Sequence, residues 1–163
     1  MAIWVCRTGS YGQFENLFFS NRCIILTREG FDYNLSSASK EEIEKTIYST
    51  SGISAKQSVR NIWSQIDIFI NRMKPGDLVI IPRKKSRYIS VAVIEGDYVF
   101  DGMAEFPLNH RREINLIKRD IDTSTFPQDI IYSLGAFRTI FSIRQEERLL
   151  RELAKAGVNF NEI

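Results

Sequence analysis

The sequence has few of the residues that metal sites and acid–base catalysis need. Among its 163 residues there are one histidine, His110, and two cysteines, Cys6 and Cys23. A zinc site of the usual Cys/His type therefore lacks ligands within this chain, and two cysteines do not make a disulfide framework. We expect no metal and no cofactor, and we expect both thiols to be free and buried in a reducing compartment.

Long apolar runs are also missing. No stretch approaches the ~20 apolar residues that a membrane span needs, and residues 1–6 have no basic region followed by an apolar one, as a signal peptide would. The length, with 44% apolar and 26% charged residues, is typical of one globular unit. We therefore expect a single domain over residues 1–163, cytoplasmic and with no membrane partner.

The sequence has almost no excess charge, yet its cations are unevenly placed. Lys and Arg total 22 against 20 acidic residues, a net charge of +2 that does not by itself indicate a nucleic-acid partner. Six of the cations lie in two short clusters: Arg83, Lys84, Lys85, Arg87, Arg111 and Arg112. A near-neutral total can therefore conceal a basic face.

A nuclease motif of the restriction type is absent. That metal-dependent core needs an acidic residue two positions before a lysine. The residues two positions before the eight lysines are neither acidic nor glutamine: Ala38, Ile43, Ser54, Arg72, Pro82, Arg83, Leu116 and Leu153. Since no triad spacing or phosphate loop is present either, we expect no catalytic residues and a protein that is not an enzyme.

Hydrophobic periodicity predicts a mixed α+β fold. The strongest helix pattern covers residues 58–74, where apolar residues recur at helical spacing, and Ser39 with Glu42 forms a capping-box pattern before another helix. The predicted strands are 3–7, 23–27, 78–81, 89–100, 109–118 and 136–143, and the predicted helices are 13–21, 39–48, 58–74, 128–134 and 145–156. Such a sheet of about five or six strands can curl into a small open barrel, since closure removes edges.

The two basic clusters each allow two interpretations. The turn Arg83–Tyr88 could hold phosphates, with Tyr88 available for stacking, or it could be a solvated hairpin tip. Arg111 and Arg112 could extend such a phosphate track. His110 has no nucleophile near it in sequence, so a histidine satisfied by a backbone or carboxylate partner is favoured.

Three residues are candidates for a binding pocket. Asn61 and Trp63 fall in the first turns of the predicted 58–74 helix, where Asn61 could read a base edge and Trp63 could offer a flat face. Alternatively, Trp63 belongs to the core and Ser58 is simply the N-cap. Tyr11, in the Gly-rich turn after the first strand, is either an exposed turn residue or one wall of the pocket.

Three stretches of the sequence resemble a known family. They are residues 2–16, with Trp4-Val5-Cys6-Arg7 and Tyr11-Gly12; residues 59–80, with Val-Arg-Asn and Met-Lys-Pro-Gly-Asp; and residues 129–140, with Ser-Leu-Gly-Ala-Phe-Arg-Thr-Ile. Together they resemble the N-terminal region of Mrr-like restriction proteins, which is similar to the EVE and YTH members of the PUA-like superfamily. Related sequences often carry an aromatic residue after the second strand, where this chain has Thr27-Arg28-Glu29.

The resemblance implies a PUA/EVE-like curled open β-barrel whose pocket accepts a flipped-out modified base, in YTH proteins within an aromatic cage. It implies a non-catalytic DNA reader (with RNA as another target) in a restriction or defence system, with a nuclease domain or subunit as partner. Tyr11, Asn61 and Trp63 would line the pocket. The alternative is a regulatory module that binds a small ligand or a protein, which opposite locations of the two basic clusters would favour.

Overall fold

The computed structural model describes residues 1–84 and 86–163. Within this part of the chain, seven strands and five α-helices form an α+β unit. The strands are β1 (Ile3–Cys6), β2 (Cys23–Ile25), β3 (Leu78–Pro82), β4 (Tyr88–Ile94), β5 (Val99–Phe100), β6 (His110–Asp122) and β7 (Ile140–Ser142). The helices are α1 (Glu15–Asn21), α2 (Lys40–Ser51), α3 (Lys56–Asp67), α4 (Gln128–Leu134) and α5 (Glu146–Lys155).

The strands form one mixed sheet in the order β2-β6-β4-β3-β1-β7, with β5 paired to the start of β6. Strands β1 and β3 are parallel, and the other pairs are antiparallel. Two register shifts interrupt the pairing of β4 with β6, and such bulges bend a sheet. The result is a curled, open half-barrel, as the α+β pattern of the sequence predicts.

Both faces of the sheet are buried. Ile3 and Val5 point to the face covered by α4 and α5, while Trp4 and Cys6 point to the face covered by α1, α2 and α3. Because both faces are covered, β1 and most of β3 are continuous apolar runs. This burial places the ends of β1, β2 and β3 against helices.

The α2–α3 region confirms one predicted helix start and corrects another. Ser39 accepts a hydrogen bond from the Glu42 N–H and the Glu42 carboxylate accepts one from the Ser39 N–H, so the predicted capping box is confirmed. In contrast, α3 begins at Lys56 after Ala55, so Ser58 is not its N-cap. Asn61 and Trp63 therefore lie beyond the first turn, whose free amides end before them.

The end of the predicted 58–74 helix is a π-helix and not an α-helix. A five-residue π-helical segment, Ile68–Arg72, continues α3, and the Met73 N–H closes it on the Ile68 carbonyl. The final strand is shorter than the predicted 136–143, because residues 135–139 connect α4 to β7 instead.

The thiols are buried as expected, and the histidine is buried as well. Cys6 and Cys23 are free, and burial raises the pKa of the Cys23 thiol to about 11 and also raises the pKa of Cys6. His110 donates from Nε2 to the Phe31 carbonyl and accepts at Nδ1 from the Tyr98 hydroxyl, which confirms a histidine satisfied by a backbone partner. None of the helices in the described residues has the length and apolarity that crossing a membrane requires.

Candidate functional site

A cavity of about 230 Å³ lies where β1 and β2 end against α2, α3 and the start of β7. Its apolar wall comes from Leu26, Ile47 and Ile66, which are core residues. The polar residues that line it are Ser10, Thr27, Arg28, Glu29, Thr50, Ser51, Gln65 and Thr139. We call it the first cavity; it combines hydrogen-bond donors, acceptors and an apolar floor.

Gln65 fixes one side of the first cavity. Its Oε1 accepts hydrogen bonds from the Thr139 N–H at 3.1 Å and from the Thr139 hydroxyl at 2.6 Å. Its Nε2 donates to the Asn61 carbonyl at 3.3 Å. These contacts join α3 to the start of β7, so the wall is held in place before any ligand arrives.

Arg28 is the half-buried cation of the first cavity. It follows β2, and burial lowers the pKa of its guanidinium. No hydrogen bond or ion pair holds this guanidinium among the residues that the structure describes. A partly desolvated cation without a partner favours a ligand that offers an acceptor or an anionic group.

A second cavity, of about 160 Å³, lies between the β1–α1 loop and the β3–β4 turn. It is lined by Arg7, Thr8, Gly9, Ser10, Tyr11, Gly12, Pro82, Arg83 and Lys84. At Gly12 the backbone has φ +69°, and an added Cβ would lie 2.4 Å from the Lys84 Cβ. Glycine therefore allows the two loops to approach closely and brings three cations to one small cavity.

A third cavity, of about 530 Å³, adjoins the second and shares Arg7, Pro82 and Arg83 with it. Its other lining residues include Arg87, Tyr88, Ser124 and Gly135. Since Ser10 also lines both the first and second cavities, each cavity shares lining residues with the next, and we call the series of three the groove. Five cations line it: Arg28 in the first cavity, Arg7, Arg83 and Lys84 in the second, and Arg87 in the third.

Two of the groove cations already have acidic partners. Arg83 lies 3.4 Å from the Glu15 carboxylate and 3.1 Å from that of Asp120. Arg87 lies 3.1 Å from Asp122. All these groups are at least partly exposed, and exposed ion pairs are worth only about 0–1 kcal/mol. An anionic ligand can therefore compete for both arginines.

The three pocket residues predicted from the sequence are separated. Tyr11 is exposed and lines the second cavity. Asn61 Oδ1 accepts from Arg138 at 3.4 Å, whereas the Trp63 ring lies against the core with Lys40 Nζ 5.6 Å from its centroid. Neither Asn61 nor Trp63 lines the groove. Asn61 and Trp63 face different sides of α3, because residues two positions apart are about 200° apart around a helix axis.

The predicted phosphate residues divide between the two ends of β6. Arg83, Lys84 and Arg87 line the groove, while Lys85 lies outside the described residues. Arg111 is at the opposite end of β6, paired with Asp101 at 3.2 Å. The eight or more residues between these ends correspond to roughly 25–35 Å of extended strand, so one continuous track through both clusters is not formed.

Arg112 requires a correction, because it is a buried structural residue. It is 3% exposed, and its guanidinium donates to the carbonyl oxygens of Phe69, Ile70 and Gly96. These bonds satisfy carbonyls around the π-helical segment. Arg112 therefore offers nothing to a phosphate at the surface.

The residues that sequence reasoning missed are Arg7, Arg28, Gln65 and Thr139. Arg7 and Thr139 belong to stretches that carry the family resemblance, and Arg28 lies in Thr27-Arg28-Glu29, where related sequences often carry an aromatic residue. No aromatic side chain lines the first cavity within the described residues, so an aromatic cage of the YTH kind is not present there. Among the described residues, no group of three or more His, Cys, Asp or Glu side chains forms a metal site.

Comparison with known proteins gives a family but no activity. The family model described as "Domain of unknown function (DUF8426)" matches residues 6–138. Among solved structures, the NMR structure of Rpa0253 from Rhodopseudomonas palustris is similar over 96% of this chain and 93% of that chain, with 10% sequence identity and a TM-score of 0.45. The comparison with curated proteins finds no match.

Proposed function

Because the chain belongs to the DUF8426 family, whose function is unknown, we propose its role from the groove: it binds DNA without catalysis, with one modified base flipped out of the duplex into the first cavity. The observation that supports this proposal is that the three cavities share lining residues in series and are lined by five cations. A role in a restriction or defence system, and a place in the PUA-like superfamily, rest on the sequence resemblance.

The first cavity suits a base better than a bare phosphate. Bases present donors and acceptors on one edge and a flat apolar face, and the cavity offers hydroxyls, a guanidinium and the carboxylate of Glu29 above an apolar floor. A guanidinium plane can stack on a base as an aromatic ring does. Arg28 would thus replace the aromatic of related sequences, and Leu26, Ile47 and Ile66 would contact a methyl group.

The second and third cavities suit the DNA backbone. Arg7, Arg83 and Lys84 converge on the second cavity, and Arg87 continues the series. Such phosphate contacts position the duplex and supply affinity, while the base contact supplies specificity. Flipping costs a few kcal/mol, which base stacking and edge hydrogen bonds in the first cavity would offset.

The test is a fluorescence-anisotropy titration with a short duplex that carries one methylated base, compared with the unmodified duplex at several salt concentrations. If Arg7, Arg83, Lys84 and Arg87 each contact a phosphate, the slope of log K against log salt concentration is about −3 to −4. Lys84→Ala should reduce that slope by about 1, and Arg28→Gln should weaken binding of the methylated duplex by about tenfold.

The matched control is Lys74→Ala, because Lys74 is exposed at the opposite end of β3 from Arg83. Lys74→Ala should bind both duplexes as tightly as the wild-type protein does. Binding without a salt slope, or no binding to any duplex, would contradict the proposal. That result would favour the alternative of a small-ligand or protein-binding regulatory module, which the separation of the two basic clusters also favours.

A further inference from the structure

Phe137 is an apolar side chain that the fold does not use. It lies in the 135–139 connection between α4 and β7, and it is 105% exposed. Single exposed apolar residues are common on protein surfaces, but this one projects fully from a connection that is itself firmly held. Its place beside the groove therefore calls for an explanation.

The connection is anchored at both ends by Arg7. The Arg7 guanidinium donates to the Leu134 carbonyl at 3.2 Å, and the Arg7 N–H donates to the Thr139 carbonyl at 2.8 Å. Gln65 accepts two further hydrogen bonds from Thr139. The ends of the connection are thus fixed, and the Phe137 ring stands between them without contacts of its own.

The same connection borders two of the cavities. Gly135 lines the third cavity and Thr139 lines the first. Arg138, next to Phe137, donates to Asn61 at 3.4 Å and adds a cation at this rim. Phe137 therefore stands between the cavity assigned to the base and a cavity assigned to the backbone.

We propose that Phe137 is the wedge that enters the DNA duplex in the space left by the flipped base. This inference rests on the proposed function. A flipped base leaves a gap whose neighbours have lost a stacking partner, and apolar side chains can insert between base steps to replace it. A ring on a held connection beside the base cavity can fill the gap while the base occupies the cavity.

The test compares the unmodified protein with Phe137→Ala and Phe137→Trp on a methylated duplex and on its methylated strand alone. A wedge is needed only where a base must leave a stack. Phe137→Ala should therefore weaken duplex binding by about tenfold or more and leave single-strand binding unchanged, while Phe137→Trp retains duplex binding. With 2-aminopurine beside the methylated base, the fluorescence rise on binding should be lost in Phe137→Ala.

Met103→Ala is the matched control, because Met103 is 95% exposed but lies before β6, near the Arg111 end. Met103→Ala should bind the duplex and the single strand as tightly as the wild-type protein does. Two results would show that Phe137 is not a wedge while leaving the DNA-binding proposal intact. In one, Phe137→Ala binds the duplex normally. In the other, it loses duplex and single-strand binding equally although its thermal unfolding is unchanged. If the unmodified protein binds neither DNA, both proposals fail.

Discussion

Replacing Asp77 with alanine should destabilise the domain by about 3–5 kcal/mol, a large part of the 5–15 kcal/mol that holds a typical domain folded. Asp77 is 8% exposed and immediately precedes β3. Its carboxylate accepts hydrogen bonds from the N–H of Ala2 at 3.1 Å, the indole of Trp4 at 2.9 Å and the N–H of Lys74 at 3.0 Å. The substitution leaves three donors without an acceptor.

The matched variant is Asp77→Asn, which keeps the shape and one carbonyl oxygen. If that oxygen keeps the Trp4 and Lys74 donors, only the Ala2 contact is lost, and the expected cost is about 1–2 kcal/mol. Urea denaturation of both variants measures the difference as a shift in midpoint. Equal and small costs for the two variants would contradict this account of the carboxylate.

The second large effect is expected at His110, where alanine should cost about 2–4 kcal/mol. The ring is 0% exposed and joins three segments: it donates to the Phe31 carbonyl at 2.5 Å and accepts from the Tyr98 hydroxyl at 2.6 Å. That hydroxyl in turn accepts from the Leu35 N–H at 3.2 Å. Removing the ring leaves a cavity and unpaired groups on both sides of it.

The stability from His110 should also depend on pH. Burial lowers the pKa of the His110 imidazole, although the Phe31 carbonyl and nearby Asp32 act in the opposite direction. The unfolded chain therefore takes up a proton below about pH 6.5 while the folded chain does not. Stability is fully present above that pH and falls as the pH drops toward the folded pKa.

The measurement is the difference in unfolding free energy between the unmodified protein and His110→Gln, followed from neutral to mildly acidic pH. The variant cannot titrate, so the advantage of the unmodified protein should shrink as the pH falls. An advantage that grows on acidification would mean that the folded protein holds the protonated imidazolium.

Helices could be predicted from the sequence where the pattern that marks them lies among neighbouring residues. The capping box at Ser39 and Glu42 is a contact between neighbours, and the 128–134 helix matches α4 in both bounds. The start of α3 was missed because Ala55, which has no capping side chain, precedes it, whereas Ser58 has the preferred chemistry. The π-helical segment was not predicted, because its apolar residues continue the spacing of the α-helix before it.

The site was harder to predict because its residues come from distant segments. Ser10, Arg28, Gln65 and Thr139 are far apart in sequence, and the sheet order and helix packing bring them to one cavity. The basic residues at 83–87 could be identified as a cluster, but their proximity to Arg7 depends on the parallel pairing of β1 with β3. Arg112 has the same chemistry as its neighbours, and burial alone distinguishes it.

An NMR titration of the protein with the short methylated duplex tests the central claim most directly, since it locates the contact surface residue by residue. The account predicts that backbone amide shifts concentrate at residues 8–12, 27–29 and 135–139, which border the groove. Residues 71–77, which precede β3 at the opposite end from Arg83, should keep their shifts. Shifts centred on residues 71–77, or no shifts at all, would contradict it.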